Sequence, residues 1–212
     1  MAPATPEPVA VAVLAKAPVA GSVKTRLIPA LGAAGAATLQ RRLIERTVAT
    51  ACAAAVGPVT VWMTPAAPHP CFAALASRHP IALAAQPDGD LGTRMLAACT
   101  ATNGPTIVIG TDCPLLTPTH LQQSAQILCE GTDAVVIPAE DGGYVLIGSC
   151  RPQPALFADM TWSTATVMAE TRRRLALHGL TWGEPAQLWD VDRPEDLARL
   201  RADGFAYLLG EI

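Results

Sequence analysis

The segment "AKAPVAGSVKTRL" (15–27) carries both lysines of the chain, Lys16 and Lys24, with Arg26 two places further on. An apolar run precedes it, so the segment reads as the loop that leaves a buried strand. Gly21 lets backbone come close to a ligand there. Exposed amides together with lysine and arginine form a cradle for an anion, and a diphosphate or triphosphate is the natural guest. This is not a Walker A loop: with Lys24 as the motif lysine, the two glycines would fall at Pro18 and Val23. The plain alternative is a solvated turn.

Four further stretches carry groups that could complete a site around such an anion. "IVIGTDCP" (107–114) sets Asp112 just past a buried strand, beside Thr111. A carboxylate there suits Mg²⁺ or Mn²⁺, which favour oxygen ligands and phosphate partners, or simply closes a turn. "LWDVDRPEDL" (188–197) alternates Asp190 and Asp192, which share one side of an extended segment. The pair can complete a divalent site with Asp112, although Asp192 also stands where a helix cap would. "PAEDGGYVLIG" (138–148) offers Glu140 and Asp141 before Gly142 and Gly143, as a hairpin turn or as a substrate loop. "QPDGDLGTRM" (86–95) combines Asp90, Gly92 and Arg94, which could close on a base or ribose or merely open a helix.

These stretches need a scaffold, and the hydrophobic pattern supplies one. Short apolar runs at 8–15, 58–63, 81–86, 105–110, 133–139 and 143–148 read as strands. Helical patterns occupy 35–54, 70–78, 91–101, 118–129, 163–179 and 193–204. In 35–54, Leu39, Leu43, Ile44, Val48 and Ala51 share a face opposite Arg41, Arg42 and Glu45. Thr117 caps a helix opened by Pro118, and Ser163 or Thr164 caps one closed by Gly179. Strand–helix alternation of this kind predicts an α/β fold, a mostly parallel sheet covered on both faces. The 133–148 strand pair reads as a small antiparallel insertion. Ligands of open sheets bind at the carboxyl ends of the strands, and that is where the loops above fall.

Composition narrows the classes. The net charge is −3 with no long run of one sign, which argues against a nucleic-acid binder. No stretch approaches eighteen apolar residues, so no membrane span is expected and the cytoplasm is the default. The six cysteines show neither a CxxC pair nor Cys/His metal spacing and read as buried thiols, Cys113 included. None of the four histidines falls in a nucleophile–base motif. The length fits one domain over 1–212, with residues 1–7 as a flexible leader.

Taken in order, "AKAPVAGSVKTRL", "GDLGTRM", "IGTDCPLLT", "DGGYVLIG", "MTWST" and "DVDRPEDL" resemble the bacterial radical-SAM/selenodomain-associated transferase family 1, also known as the arsenosugar-biosynthesis glycosyltransferases. That family lies in the nucleotide-diphospho-sugar transferase superfamily and is similar to 2-phospho-lactate guanylyltransferase and the molybdenum-cofactor nucleotidyltransferases. The resemblance implies a Rossmann-like α/β/α sandwich of glycosyltransferase-A type. It implies a nucleotide donor, a small-molecule acceptor, and Mg²⁺ or Mn²⁺ on Asp112 with Asp190 or Asp192. Lys24 and Arg26, assisted by Lys16, match the residues that hold a triphosphate. The loop lacks the Gly-x-Gly-x-Arg form of sugar-phosphate nucleotidyltransferases and so does not name the donor. On these motifs Lys24, Arg26, Asp112 and Asp141 are the expected catalytic groups. Ala15, Lys16, Gly21, Thr25, Asp90, Gly92, Arg94 and Thr111 join Lys24 and Arg26 on the nucleotide. Glu140, Gly142, Gly143, Tyr144, Trp162, Ser163 and Thr164 are expected to meet the substrate. The expected reaction is nucleotidyl transfer from an NTP to a small phosphorylated acceptor. Glycosyl transfer from a nucleotide sugar is the alternative, and a nucleotide sensor without turnover is a third. A homodimer is left open.

Overall fold

A computed structural model describes residues 7–66 and 69–210; the leader expected at 1–7 lies, except for Glu7, outside the described residues. Seven strands form one sheet in the order β3-β2-β1-β4-β6-β5-β7. They are β1 (Ala10–Lys16), β2 (Val59–Thr64), β3 (Ile81–Ala85), β4 (Thr106–Ile109), β5 (Ala134–Pro138), β6 (Tyr144–Ser149) and the two-residue β7 (Trp182–Gly183). All pairings are parallel except those of β6, which runs antiparallel to both β4 and β5. The antiparallel element is therefore not a peripheral hairpin. Its second strand inserts into the body of the sheet, between two strands that run the other way.

The period-2 alternation of the strands sorts the core into two layers. Val9, Val11, Val13 and Ala15 face one side, with Ile107, Ile109, Val135 and Ile137. That side is covered by α1 (Ile28–Ala54), α2 (Pro70–Arg78) and α4 (Pro118–Cys129) through Ile44, Val48, Phe72, Leu75 and Leu121. Ala12, Val108, Val136 and Ile147 face the other side, under α3 (Leu91–Thr100), α5 (Pro154–Phe157) and α6 (Val167–Leu177). Each fully buried Leu, Ile or Phe contributes about 1.5–3 kcal/mol of transfer free energy, so the aliphatic core needs no cross-link. A third cluster of Leu27, Leu39, Leu43, Trp189, Val191, Leu197 and Leu200 joins α1 to α7 (Asp196–Ala202). It draws the segment 188–192 alongside the loop that follows β1.

Helix starts agree with the sequence reading where a cap and a proline coincide. Thr117 accepts the His120 N–H and Pro118 opens α4; α2 spans Pro70–Arg78 as expected. Elsewhere the boundaries differ. α1 begins at Ile28 rather than 35, with a kink at Gly32, whose φ of 69° is left-handed. α6 begins at Val167, not 163: Ser163 is itself left-handed at φ 62°, and the Thr164 hydroxyl donates to the Thr161 carbonyl instead of capping. α7 starts at Asp196 rather than 193, because the Asp196 carboxylate accepts the Asp192 and Arg193 amides and holds them outside the helix. Asp192 is thus not the cap of this helix.

Candidate active site

At the carboxyl ends of β1 and β4 lies a cavity of about 510 Å³. Its polar wall comes from three loops. Lys16 ends β1 and Ser22, Lys24, Thr25 and Arg26 follow it, Thr111 and Asp112 belong to the loop after β4, and Asp190 and Asp192 to the segment before α7. Its apolar wall is built from Leu14, Val108, Met95, Leu91 and Tyr144. Gln40 of α1 also reaches it.

Lys24 ties the three loops together. Its backbone is left-handed, at φ 46° and ψ 42°, and its side chain is only 5 % exposed. The ammonium pairs with Asp112 Oδ1 at 2.7 Å and donates to the carbonyl of Val191. The Val191 N–H in turn donates to the Asp112 carbonyl at 2.8 Å. Lys16 closes its own loop by donating to the Ser22 carbonyl at 2.7 Å. Arg26 pairs with Asp192, and both remain substantially exposed. Gln40, buried beside Leu39 and Leu43, donates to the Thr111 hydroxyl at 3.2 Å and so fixes the floor beneath Asp112.

Asp190 stands apart from the other carboxylates. Burial, reinforced by the charges of Asp141 and Asp112 and opposed by Lys24, pushes its pKa up to about 6. Three carboxylates thus crowd one region that Lys24 neutralises in part. Such a set of hard oxygen donors fits a Mg²⁺ or Mn²⁺ ion that binds through one or two carboxylates and completes its shell with phosphate and water. It does not form an all-protein cage: among the described residues, no three His, Cys, Asp and Glu side chains converge as a ready-made metal site. Cys113 lines the cavity as a neutral thiol, its pKa pushed up to about 12 by burial.

Of the residues expected from the sequence, Lys16, Lys24, Thr25, Arg26, Thr111, Asp112, Tyr144, Asp190 and Asp192 line this cavity. Ala15, Gly21, Asp90, Gly92, Arg94, Glu140, Asp141, Gly142, Gly143, Trp162, Ser163 and Thr164 do not. Asp90 caps α3, accepting the Thr93 N–H at 2.8 Å, and also accepts the Trp162 indole N–H at 3.2 Å. Asp141 accepts the Gly143 N–H inside its own turn at 2.9 Å. Glu140 forms a two-bond ion pair with Arg199. Arg94 reaches toward Gln86 at 3.4 Å. Gly92 is needed for packing, since a Cβ there would lie 2.7 Å from the Trp162 ring. Gln40, Leu14, Leu91 and Met95 are cavity residues that the motif reading passes over. Gln40 could have been found as a polar residue on the apolar face of its helix; the three hydrophobics look like any core residue.

The fold has solved counterparts. A protein from Desulfovibrio desulfuricans G20, provisionally described as a nucleotide-diphospho-sugar transferase, superposes with a TM-score of 0.81 at 25 % identity, over 95 % of this chain and 94 % of its own. A nucleotidyl transfer enzyme of Methanothermobacter gives a TM-score of 0.63 at 16 % identity, over 95 % of this chain and 99 % of that one. The 4-diphosphocytidyl-2C-methyl-D-erythritol synthase of Anaerococcus prevotii gives 0.58 at 9 %, over 95 % and 98 %. The latter two establish likeness of fold alone. A search of curated proteins finds no match. A family model matches residues 47–164, from the last third of α1 to the turn after Trp162, and the chain belongs to that family, described as "Uncharacterized protein conserved in bacteria (DUF2064)".

Proposed function

We propose that this protein is a nucleotide-using transferase and that its reaction is nucleotidyl transfer from an NTP to a small acceptor. One observation carries the reading: the cations of the first loop and the carboxylates Asp112 and Asp190 line the same cavity. A solved neighbour named as a nucleotidyl transferase supports it. In this reading Lys16, Lys24 and Arg26 bind the phosphates, and their charge stabilises the pyrophosphate as it leaves. Lys24 exchanges part of its bond to Asp112 for the incoming phosphate. Asp112 and Asp190 would hold Mg²⁺, which supplies neutralisation of the charge between donor and acceptor oxygens. Gln40 and the Val191–Asp112 backbone bond keep the Asp112 loop from moving as the phosphates bind.

The test is direct. Purified protein with Mg²⁺, each of the four NTPs and a panel of small acceptors should release pyrophosphate with at least one combination. No release with any combination rejects nucleotidyl transfer. Glycosyl transfer from a nucleotide sugar is the second reading, favoured by the description of the Desulfovibrio protein. A thermal-shift screen separates the two. Ligand at 100 times its Kd adds about 2.7 kcal/mol, so stabilisation by UDP- or GDP-sugars but not by NTPs selects the second reading.

A further inference from the structure

Among the lining residues the charges come from the ends of β1 and β4 and from the segment before α7, and none from β6. The cations are Lys16, Lys24 and Arg26, and the anions are Asp112, Asp190 and Asp192. Leu14 of β1, Leu91 and Met95 of α3 and Tyr144 of β6 belong to the apolar lining. The order of the sheet gives the cavity a direction. β1, β4 and β6 are consecutive neighbours, so the cationic loop, Asp112 and Tyr144 stand in that order across the carboxyl end of β4. The Gly110 N–H donating to the Val145 carbonyl fixes the last step.

In an in-line displacement the attacking group stands opposite the leaving group. With the leaving phosphates on Lys16, Lys24 and Arg26 and the reacting phosphorus beside Asp112, the acceptor falls on the β6 side. An acceptor phosphate or carboxylate placed there would lose its water and find no cationic side chain among the lining residues of β6, leaving its charge to the metal held by Asp112 and Asp190. An uncharged molecule suffers neither penalty.

The β6 side also holds one polar group without a good partner. Among the described residues, the Tyr144 hydroxyl finds only the Met95 sulfur, 3.8 Å away, which is a weak acceptor. Burial pushes the phenol pKa up, so this hydroxyl stays protonated and can donate. Its ring is held edge-to-face by Trp162, with centroids 6.5 Å apart. Trp162 is held in turn by the Asp90 carboxylate and by the space that Gly92 leaves. The motifs around residues 90, 144 and 162 thus form one brace that aims a single hydroxyl.

We infer that the β6 side of the cavity is the acceptor subsite and that it takes an uncharged, largely apolar alcohol, with the Tyr144 hydroxyl as its polar contact and Trp162 as the positioning residue. The inference rests on the nucleotide-using transferase reading, and it replaces the phosphorylated acceptor expected from the sequence. Benzyl alcohol and benzyl phosphate are matched probes that differ by the phosphate. The protein is first titrated with Mg²⁺ and the α,β-methylene analogues of the four NTPs by thermal shift, then loaded with the analogue that binds. Saturation-transfer NMR then measures each probe. Benzyl alcohol should bind alongside the nucleotide, at least tenfold more tightly than benzyl phosphate. Tyr144→Phe should weaken it at least fivefold, and Trp162→Phe should do so in part, with nucleotide affinity as the control in both. Preference for benzyl phosphate, competition between alcohol and nucleotide, or indifference to Tyr144→Phe overturns the inference while leaving the transferase reading intact. If no nucleotide analogue binds, both are overturned.

Discussion

The polar wall of the cavity and the brace around Trp162 draw on the same kinds of residue, aspartates and glycines in loops at strand ends. They differ in the reach of their bonds. Lys24 donates to a carbonyl 167 residues away and Arg26 pairs with a carboxylate 166 residues away. Asp90 caps an amide three residues on, Asp141 accepts one two residues on, and the long bond of the brace, from the Trp162 indole to Asp90, 72 residues away, carries no cation. A loop aspartate satisfied within its own turn is explained by local geometry. A cation carried across the fold onto a carboxylate has no such local reason; the Lys24–Asp112 and Arg26–Asp192 pairs line the cavity, whereas Glu140–Arg199 does not. The brace then contributes at one remove, by fixing the Tyr144 ring.

Substituting on each side sharpens this contrast, and the largest expected effect lies in the brace. Gly142 has φ +91°, and a Cβ there would stand 2.1 Å from the Ala165 carbonyl oxygen. Gly142→Ala must push the 160–166 segment off the hairpin, at a cost of about 3 kcal/mol or more. Chemical denaturation measures it. Nucleotide affinity in the surviving folded protein should stay within a factor of two, because the first loop is untouched. An unchanged stability would mean that the two turns do not bear on each other.

Lys24→Met attacks the polar wall. It removes the tie among three loops and leaves Asp112 and Asp190 facing each other without an ammonium between them. Asp112 is 49 % exposed, so water recovers part of the loss, and about 1–3 kcal/mol of stability should go. Unlike Gly142→Ala, this change should also abolish the thermal shift given by nucleotide. Retention of that shift would remove Lys24 from the site.

Asp190→Asn should act in the opposite direction on stability. The folded-state pKa of Asp190 is raised to about 6 from 3.8, so its ionised form is disfavoured in the fold. Its favourable contribution is fully present below the unfolded value and disappears as pH rises through about 6. A rise from 3.8 to about 6 corresponds to at most about 3 kcal/mol, and water in the open cavity screens part of it, so at pH 7 the ligand-free Asn variant should be more stable than the parent by about 1–2 kcal/mol. The difference should shrink toward pH 4, and denaturation at the two pH values measures it. Metal-dependent nucleotide binding should weaken in the same variant. A stability gain equal at both pH values would mean that the disfavoured ionisation of Asp190 is not its source.

The sequence reveals the parts of the molecule whose cause is local. Thr117 followed by Pro118 determines the start of α4, and apolar runs locate six of the seven strands to within about two residues, missing the two-residue β7. It does not reveal that β6 would enter between β4 and β5, because a strand's period says which face is buried but not which neighbour it pairs with. The same limit applies to the site. The charges of Lys16, Lys24, Arg26 and Asp112 are conspicuous in a lysine-poor chain, and they do line one cavity. Leu14, Leu91 and Met95 are not conspicuous, because nothing in an aliphatic residue separates a cavity wall from a core. Asp90 and Asp141 are bonded within their own turns and do not line the cavity, although the charge of Asp141 is felt at Asp190.

Asp90→Ala, the smallest effect, tests whether the brace reaches the cavity at all. The substitution removes the cap of α3, and a fall in melting temperature on the order of 2–4 °C is expected for a chain of this size. It also removes the acceptor for the Trp162 indole N–H, so the ring that stands edge-on to Tyr144 loses its polar anchor while keeping its packing over Gly92. Asp90→Asn is the control, because an amide oxygen can still accept from both the Thr93 N–H and the indole. If the aspartate bound a base or ribose directly, nucleotide affinity would fall in the Ala variant. If it serves only the brace, nucleotide affinity holds, the melting temperature drops, and benzyl alcohol binding weakens by about twofold with recovery in Asp90→Asn. The order of these losses, acceptor before nucleotide, distinguishes a residue that aims the wall from one that touches the donor.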